Sequence, residues 1–295
     1  RRGHSRSLVP SRGLGDVYKR QAYVVLLPED GNAVPMSRYF DSGLTSPYDK
    51  TIAKIESLTK EAAAQGAKIV SFQEFSILIH EEDQDQLRAQ LQNIASEHNV
   101  YLSITYAYFG REEKGENIHL FIDKTGTIKL DYTKRYLLGM GSFGETAVFK
   151  KGPEIIQSLE TPYGNIGISI CRDMSFPSFM RQAAQSDVDI MLSPSYDWPG
   201  SNGPWYITNT IENGFSLVRP TYNGYSYASD YNGKEIAHMN FSSSKDGILY
   251  ADVPTKGVKT IYPIIGDVLG WLSLTIMLIL IGWVVFTKKK VNEDS

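Results

Sequence analysis

The chain has 295 residues, 42% of them hydrophobic and 21% charged, with a single cysteine and a formal net charge of −3. An acidic chain without a basic patch offers no electrostatic footprint for a polyanion, which argues against nucleic acid as a partner. One cysteine rules out an internal disulfide and the usual zinc patterns, so the fold must hold by packing.

The first 21 residues stand apart. The stretch SRGLGDVYKRQ, Ser11 to Gln21, resembles the translation of a transposase adaptor used in preparing sequencing libraries. Residues 1–21 are therefore read as a cloning or assembly scar that replaces the native amino terminus. They hold six basic residues against Asp16, so the remainder is more acidic than the total suggests.

Residues 22–262 read as one α/β domain, long enough for a substantial core. AYVVLLPED, from Ala22, is expected as a first strand. Ile52, Ile55, Leu58 and Ala62 recur at helical spacing and predict an amphipathic helix that stops near Gly66. KIVSFQEF is a short buried strand ending at Glu74, and the polar run from His80 to Gln86 leads into a second helix over Asp83 to His98. VYLSITYAYF reads as a strand, and NIHLFIDKTGTIKLDYTK as a hairpin about Lys124 to Gly126 that carries the chain to Lys134. The apolar run Ile166 to Ile170 predicts a strand that delivers Cys171 to its carboxyl end. A helix to Ser186, the strand VDIMLSPS, a helix near Tyr206 to Gly214 and further strands to Val253 follow. Strands alternating with helices argue a layered α/β core.

Residues 264–287 are predicted as a transmembrane helix, centred on the uncharged run Val268 to Phe286, with residues 288–295 as a short basic tail. Trp271 and Trp283 suit the two membrane interfaces. Lys288, Lys289 and Lys290 favour a cytoplasmic tail, which puts the main domain outside the cytoplasm.

Three ionisable residues sit where strands or hairpins end: Glu74, Lys134 and Cys171. Singly, each has an ordinary reading as a surface charge or a small buried apolar side chain. Together and in this order, with YTKRYL followed by FGE (Phe143 to Glu145) and SPSYDWPG followed by RPTYNGYSYASDYNGKEI, they resemble the nitrilase, or carbon–nitrogen hydrolase, superfamily. The later stretches are most similar to its apolipoprotein N-acyltransferase branch. The resemblance implies a four-layer αββα sandwich and a Glu74-Lys134-Cys171 triad. No metal and no cofactor are expected, because His80, His98, His119 and His238 show no metal-ligand spacing and no Gly-rich phosphate loop is present. Where the family carries an aromatic residue after the nucleophile, this chain has Arg172, and the RYLLGMGS segment is longer than the transferase pattern and lacks its proline.

In that chemistry Cys171 attacks an amide or ester carbonyl, its thiol expected to be acidified by a helix amino terminus and by Lys134. Glu74 acts as general base and acid, and Lys134 with the backbone N–H of Arg172 receives the oxyanion. Glu145 is expected beside Lys134, Asp173 as a cap of the following helix or as a residue that orients a loop, and Trp198, Trp205 and Tyr206 as the lining of an acyl-chain entry. The sharpest version transfers an acyl group from a phospholipid to the amino terminus of a lipoprotein. The alternatives are a membrane-tethered amidase acting on a small amide and a catalytically silent binding domain.

Overall fold

The computed structural model describes residues 18–24, 48–110, 112–139, 144–197, 203–240 and 247–293. Among them β1 spans Tyr18–Val24. It begins inside the segment read as a scar, earlier than the strand expected from Ala22, and the continuation of that strand lies outside the described residues.

Helix α1, Tyr48–Ala64, buries Ile52, Ile55, Leu58 and Ala62 as their spacing predicts. It ends where Gly66 takes φ +88°, a left-handed value that glycine adopts without penalty. β2, Ile69–Phe72, is buried throughout and stops two residues before Glu74. β3, Ile77–His80, was not expected from the sequence. Helix α2, Gln84–Glu97, buries Leu87, Leu91, Ile94 and Ala95. β4, β5 and β6 are Tyr101–Phe109, Glu116–Ile122 and Ile128–Thr133, the last two forming the expected hairpin.

The second half opens with the short helix α3, Glu145–Val148, then β7, Gln157–Thr161, and β8, Gly164–Ile168. β8 starts and ends two residues earlier than predicted, so Cys171 lies three residues beyond it, at the head of a 3-10 turn, Cys171–Ser175. Helix α4, Pro177–Gln185, leads to β9, Ile190–Leu192, and β10, Ser195–Tyr196. Helix α5, Ile207–Asn213, precedes β11, Ser216–Arg219, β12, Thr221–Tyr222, β13, Tyr225–Ser229, β14, Glu235–Asn240, and β15, Ile248–Pro254. The chain closes with α6, Tyr262–Ile265, and α7, Val268–Glu293.

One sheet has the order β15-β1-β2-β4-β5-β6, with β3 also paired to β4, and a second has the order β14-β13-β11-β9-β8-β7. Helices α1 and α2 cover the outer face of the first sheet through Ile55, Leu58, Leu91 and Ile94 against Val70, Leu102 and Leu120. A second core joins Tyr101, Phe121 and Tyr132 of the first sheet to Ile166, Ile168 and Met191 of the second. It continues to Phe179, Met180 and Ala183 of α4. This mixed α/β arrangement is consistent with the expected sandwich. Its consequence for the site is that the end of β2, the end of β6 and the exit from β8 come together where the two sheets face each other.

Helix α7 departs from the rest. Its run Val268–Phe286 has a mean hydropathy of 2.4 and none of it is buried against the chain.

Candidate active site

Glu74 is placed by the tight turn that leaves β2. Phe75 adopts φ +55°, an uncommon region for a bulky residue, and the turn aims the Glu74 side chain inward to 1% exposure. Its Oε1 accepts from Lys134 Nζ at 2.7 Å and from Asn117 Nδ2 at 2.8 Å. Its Oε2 accepts from the backbone N–H of Tyr196 at 2.7 Å.

Lys134 is the residue directly after β6. Its backbone N–H donates to the Asn117 carbonyl at 2.9 Å, and its own carbonyl accepts from Gly152 N–H at 3.0 Å. Gly152 cannot be replaced freely, because an added Cβ would lie 1.9 Å from the Thr133 carbonyl oxygen. The Lys134 ammonium, as buried as Glu74, also lies 2.8 Å from each carboxylate oxygen of Glu145. Glu145 is held in turn by the Leu138 N–H at 2.6 Å and by Asn117 Nδ2 at 3.2 Å. One ammonium therefore bridges two buried carboxylates, and one amide braces both of them.

The electrostatics follow from this burial. Withdrawal from water raises the Glu74 carboxyl above its ordinary value, Lys134 opposes the rise, and the neighbouring Glu145 adds to it. Burial alone would lower Lys134, but Glu145 and Glu74 overcome it and hold the ammonium well above its ordinary value.

Cys171 is part-buried and has φ +48°, a second strained residue in the site. Its backbone N–H donates to the Pro194 carbonyl at 2.8 Å, and its Sγ lies 4.0 Å from the Tyr196 carbonyl oxygen. Tyr196 thus touches both Glu74, through its N–H, and the thiol, through its carbonyl. The thiol is not acidified as the sequence led us to expect. Loss of solvation and the Glu74 charge push it up to about 12, against the opposing pull of Lys134 and Arg219. The segment that follows is a five-residue 3-10 turn, and α4, whose amino terminus was expected to lower the thiol, begins only at Pro177.

Of the two roles expected for Asp173, the structure has the one in the loop. Asp173 does not cap α4, whose N-cap is Phe176 and which has no side-chain cap. Its Oδ2 accepts from the Ile170 N–H at 2.9 Å and from the Tyr132 hydroxyl at 2.7 Å, while Oδ1 accepts from the Tyr136 N–H at 2.8 Å. Asp173 therefore closes the turn that carries Cys171 and pins it to the segment after Lys134. Burial pushes its carboxyl up to about 6, with the Tyr132 and Tyr136 bonds and Lys134 acting the other way.

Arg172 makes a second such tie, its Nη1 donating to the Leu137 carbonyl at 3.0 Å. Trp205 is 67% exposed. Tyr206 shares a hydrogen bond with Ser175 at 2.8 Å, and its ring lies 4.6 Å under the Arg219 guanidinium. Trp198 and Phe143 lie outside the described residues. Away from the triad, Glu56, Glu97 and His98 bring ligand atoms within 4.8 Å of one another on α1 and at the end of α2, a spacing that admits a metal ion.

Sequence reasoning missed Asn117, the backbone of Tyr196, and buried Arg219, which donates to Asp197 Oδ1 at 2.9 Å and Ser195 Oγ at 2.8 Å. Asn117 and His119 had a signal: both interrupt the apolar strand ENIHLFI at positions i and i+2, which share one face.

A family model described as Carbon-nitrogen hydrolase matches residues 44–262. The deaminated glutathione amidase of Mus musculus is 27% identical over 162 residues, covering 47% of this chain and 49% of that protein. The citrullinase of Francisella tularensis is 26% identical over 238 residues, covering 68% of this chain and 82% of that protein. The chain spans about half the length of the glutathione-type relatives it matches, 49% of the mouse protein and 40% of the rat one. Among solved structures, an amidase from Nesterenkonia sp. superposes with a TM-score of 0.68 at 19% identity, over 83% of this chain and 94% of that one, a likeness of fold.

Proposed function

The chain belongs to the carbon–nitrogen hydrolase family, and from that premise we propose that it is a thiol amidase, with Cys171 as nucleophile, Glu74 as general base and acid, and Lys134 as oxyanion donor. The observation that carries this reading is the buried Glu74–Lys134–Glu145 bridge beside a cysteine held at positive φ. Such strain and such buried charge both cost stability, and they gather where chemistry is done.

The raised thiol pKa shapes the mechanism. A resting thiol needs its proton removed as it attacks, and Glu74, itself raised and held ionised by Lys134, is the base for that transfer. The sulfur adds to the amide carbonyl carbon, and the C=O electron pair moves onto oxygen. With its bond to Glu145 bifurcated, the Lys134 ammonium keeps one N–H for that oxyanion, and the Arg172 backbone N–H supplies a second donor. Each such donor is commonly worth about 3 kcal/mol. Collapse of the intermediate breaks the C–N bond, and Glu74 returns the proton to the departing amine. Water then attacks the thioester, losing its proton to Glu74. The second collapse releases the carboxylic acid and restores the thiol.

Relatives named as amidases favour water as this final nucleophile over an amine. The N-acyltransferase reading is the second one, resting on the resemblance of the later stretches to that branch and on the unburied apolar run Val268–Phe286. Anchored by that helix in a membrane, with the lysine tail on the cytoplasmic side, the domain would meet phospholipid donors at close range. Ammonia release from butyramide and from an amide bearing a carboxylate, compared with Cys171→Ala, tests the first reading. Release from neither amide, together with a fatty-acyl adduct on Cys171 after incubation with phosphatidylethanolamine vesicles, would replace hydrolysis by transfer.

A further inference from the structure

Among the buried ionisable groups that the mechanism above leaves unused is the imidazole of His119. His119 lies on β5, two residues from Asn117 and on the same face, and both side chains are fully buried. Asn117 reaches Glu74 and Glu145. His119 turns to the second sheet, its Nδ1 3.1 Å from the carbonyl oxygen of Ser169 and its Nε2 2.7 Å from Ser103 Oγ, which is 3.0 Å from Ser71 Oγ.

The protons of this row can be assigned. A carbonyl oxygen only accepts, so Nδ1 carries hydrogen. Nε2 then accepts from the Ser103 hydroxyl, and Ser103 accepts from Ser71. The imidazole is neutral, and burial keeps it so by pushing its pKa down to about 3 against the pull of the Ser169 bond. His119 therefore does not exchange protons with the reaction. Its place in the fold suggests a different task.

Ser169 is one residue beyond β8 and two before Cys171. Its N–H donates to Leu192 and that of Cys171 to Pro194, so this segment is laced along the second sheet. Glu74 and Lys134 belong to the first sheet. Facing sheets stand about 10 Å apart, a gap that a rigid ring with a donor on one side and an acceptor on the other spans well.

We propose that His119 is a positioning residue that sets the separation between Cys171 and the Glu74–Lys134 pair. It clips the segment entering the nucleophile onto the strand whose Asn117 braces that pair. The role rests on the reading of Cys171 as nucleophile.

Two substitutions separate this role from mere filling of space. His119→Asn keeps an amide N–H where Nδ1 stood and so keeps the clip to Ser169. His119→Gln places its carbonyl where Nε2 stood, satisfying Ser103 but losing the Nδ1 donor. The probe is iodoacetamide, with the rate of Cys171 alkylation followed by intact mass across pH 6 to 9 and melting temperatures measured alongside. The expected result is that His119→Gln alkylates about 10- to 100-fold more slowly than wild type, while His119→Asn stays within about threefold at a similar melting temperature. Equal rates for the two variants would overturn the positioning role. Glu74→Gln serves as the reference: if wild type alkylates no faster than that variant, the nucleophile reading fails and takes the proposal with it.

Discussion

Two regions of this molecule defy the ordinary partition of residues between water and core, in opposite senses. Around Glu74 and Lys134, charged groups are withdrawn from water, while along Val268–Phe286 an apolar surface is left without cover. The first is balanced inside the chain: each oxygen of Glu74 and Glu145 has a donor, and the ammonium between them neutralises one of the two charges. The second is balanced by nothing among the described residues. A buried charge that is fully bonded identifies a site the fold was built around. An exposed apolar helix identifies a surface that no described residue covers.

The strongest way to break this contrast is to remove the chemistry and keep most of the bonds. Glu74→Gln removes the base and leaves one acceptor oxygen, enough for Lys134 and Asn117 but not also for the Tyr196 N–H, and it should cut amide hydrolysis by about 10²- to 10⁴-fold with a smaller change in melting temperature. Unchanged ammonia release would show the nest to be structural only. Lys134→Met strikes the balance itself. It leaves two carboxylates buried without their cation, and urea unfolding should report a loss of about 3–5 kcal/mol. A loss below about 1 kcal/mol would mean that water already reaches the pair.

The helix calls for the converse test. Leu274→Arg together with Leu278→Arg sets charge at its middle, at about 2.5–3.5 kcal/mol per residue for a helix seated in a bilayer. Partition into the detergent phase should fall, while hydrolysis of a small soluble amide stays as it was. Loss of both would tie the helix to catalysis and favour the transferase. The smallest effect is on pH. Glu74 must be ionised to act, and its carboxyl is raised above the ordinary 4.5. The acid limb of kcat/KM should therefore lie above that value, with activity gained as pH rises through it. Lys134, raised well above its usual range, should add no alkaline loss at moderate pH. An acid limb at or below 4.5 would remove burial as the dominant influence on the base.

The sequence made parts of this legible and hid others for physical reasons. Helices α1 and α2 were readable because Ile52, Ile55, Leu58 and Leu87, Leu91, Ile94 repeat at helical spacing and pack on one sheet. Glu74, Lys134 and Cys171 were readable as charged or reactive residues at element ends, and the fold brings Glu74 and Lys134 into direct contact, with Cys171 reached through Tyr196. The thiol's protonation was not readable. It depends on how much solvent the surrounding sheets remove and on a carboxylate 97 positions away in the chain, neither of which has a local signature. Which of its two expected roles Asp173 takes was hidden for a similar reason, since its partners Tyr132 and Tyr136 come from the far side of the site. Asn117 and the Tyr196 N–H were missed because their roles are set by cross-sheet register.

The high pKa of Cys171 has a consequence beyond turnover. Peroxide and disulfide reagents react with thiolates, and their attack on a cysteine scales with its ionised fraction and its access. A lone thiol that rests protonated and part-buried is a poor target for both. On the proposed reading, an arrangement that defers deprotonation until a substrate carbonyl arrives would also slow oxidation of the resting cysteine.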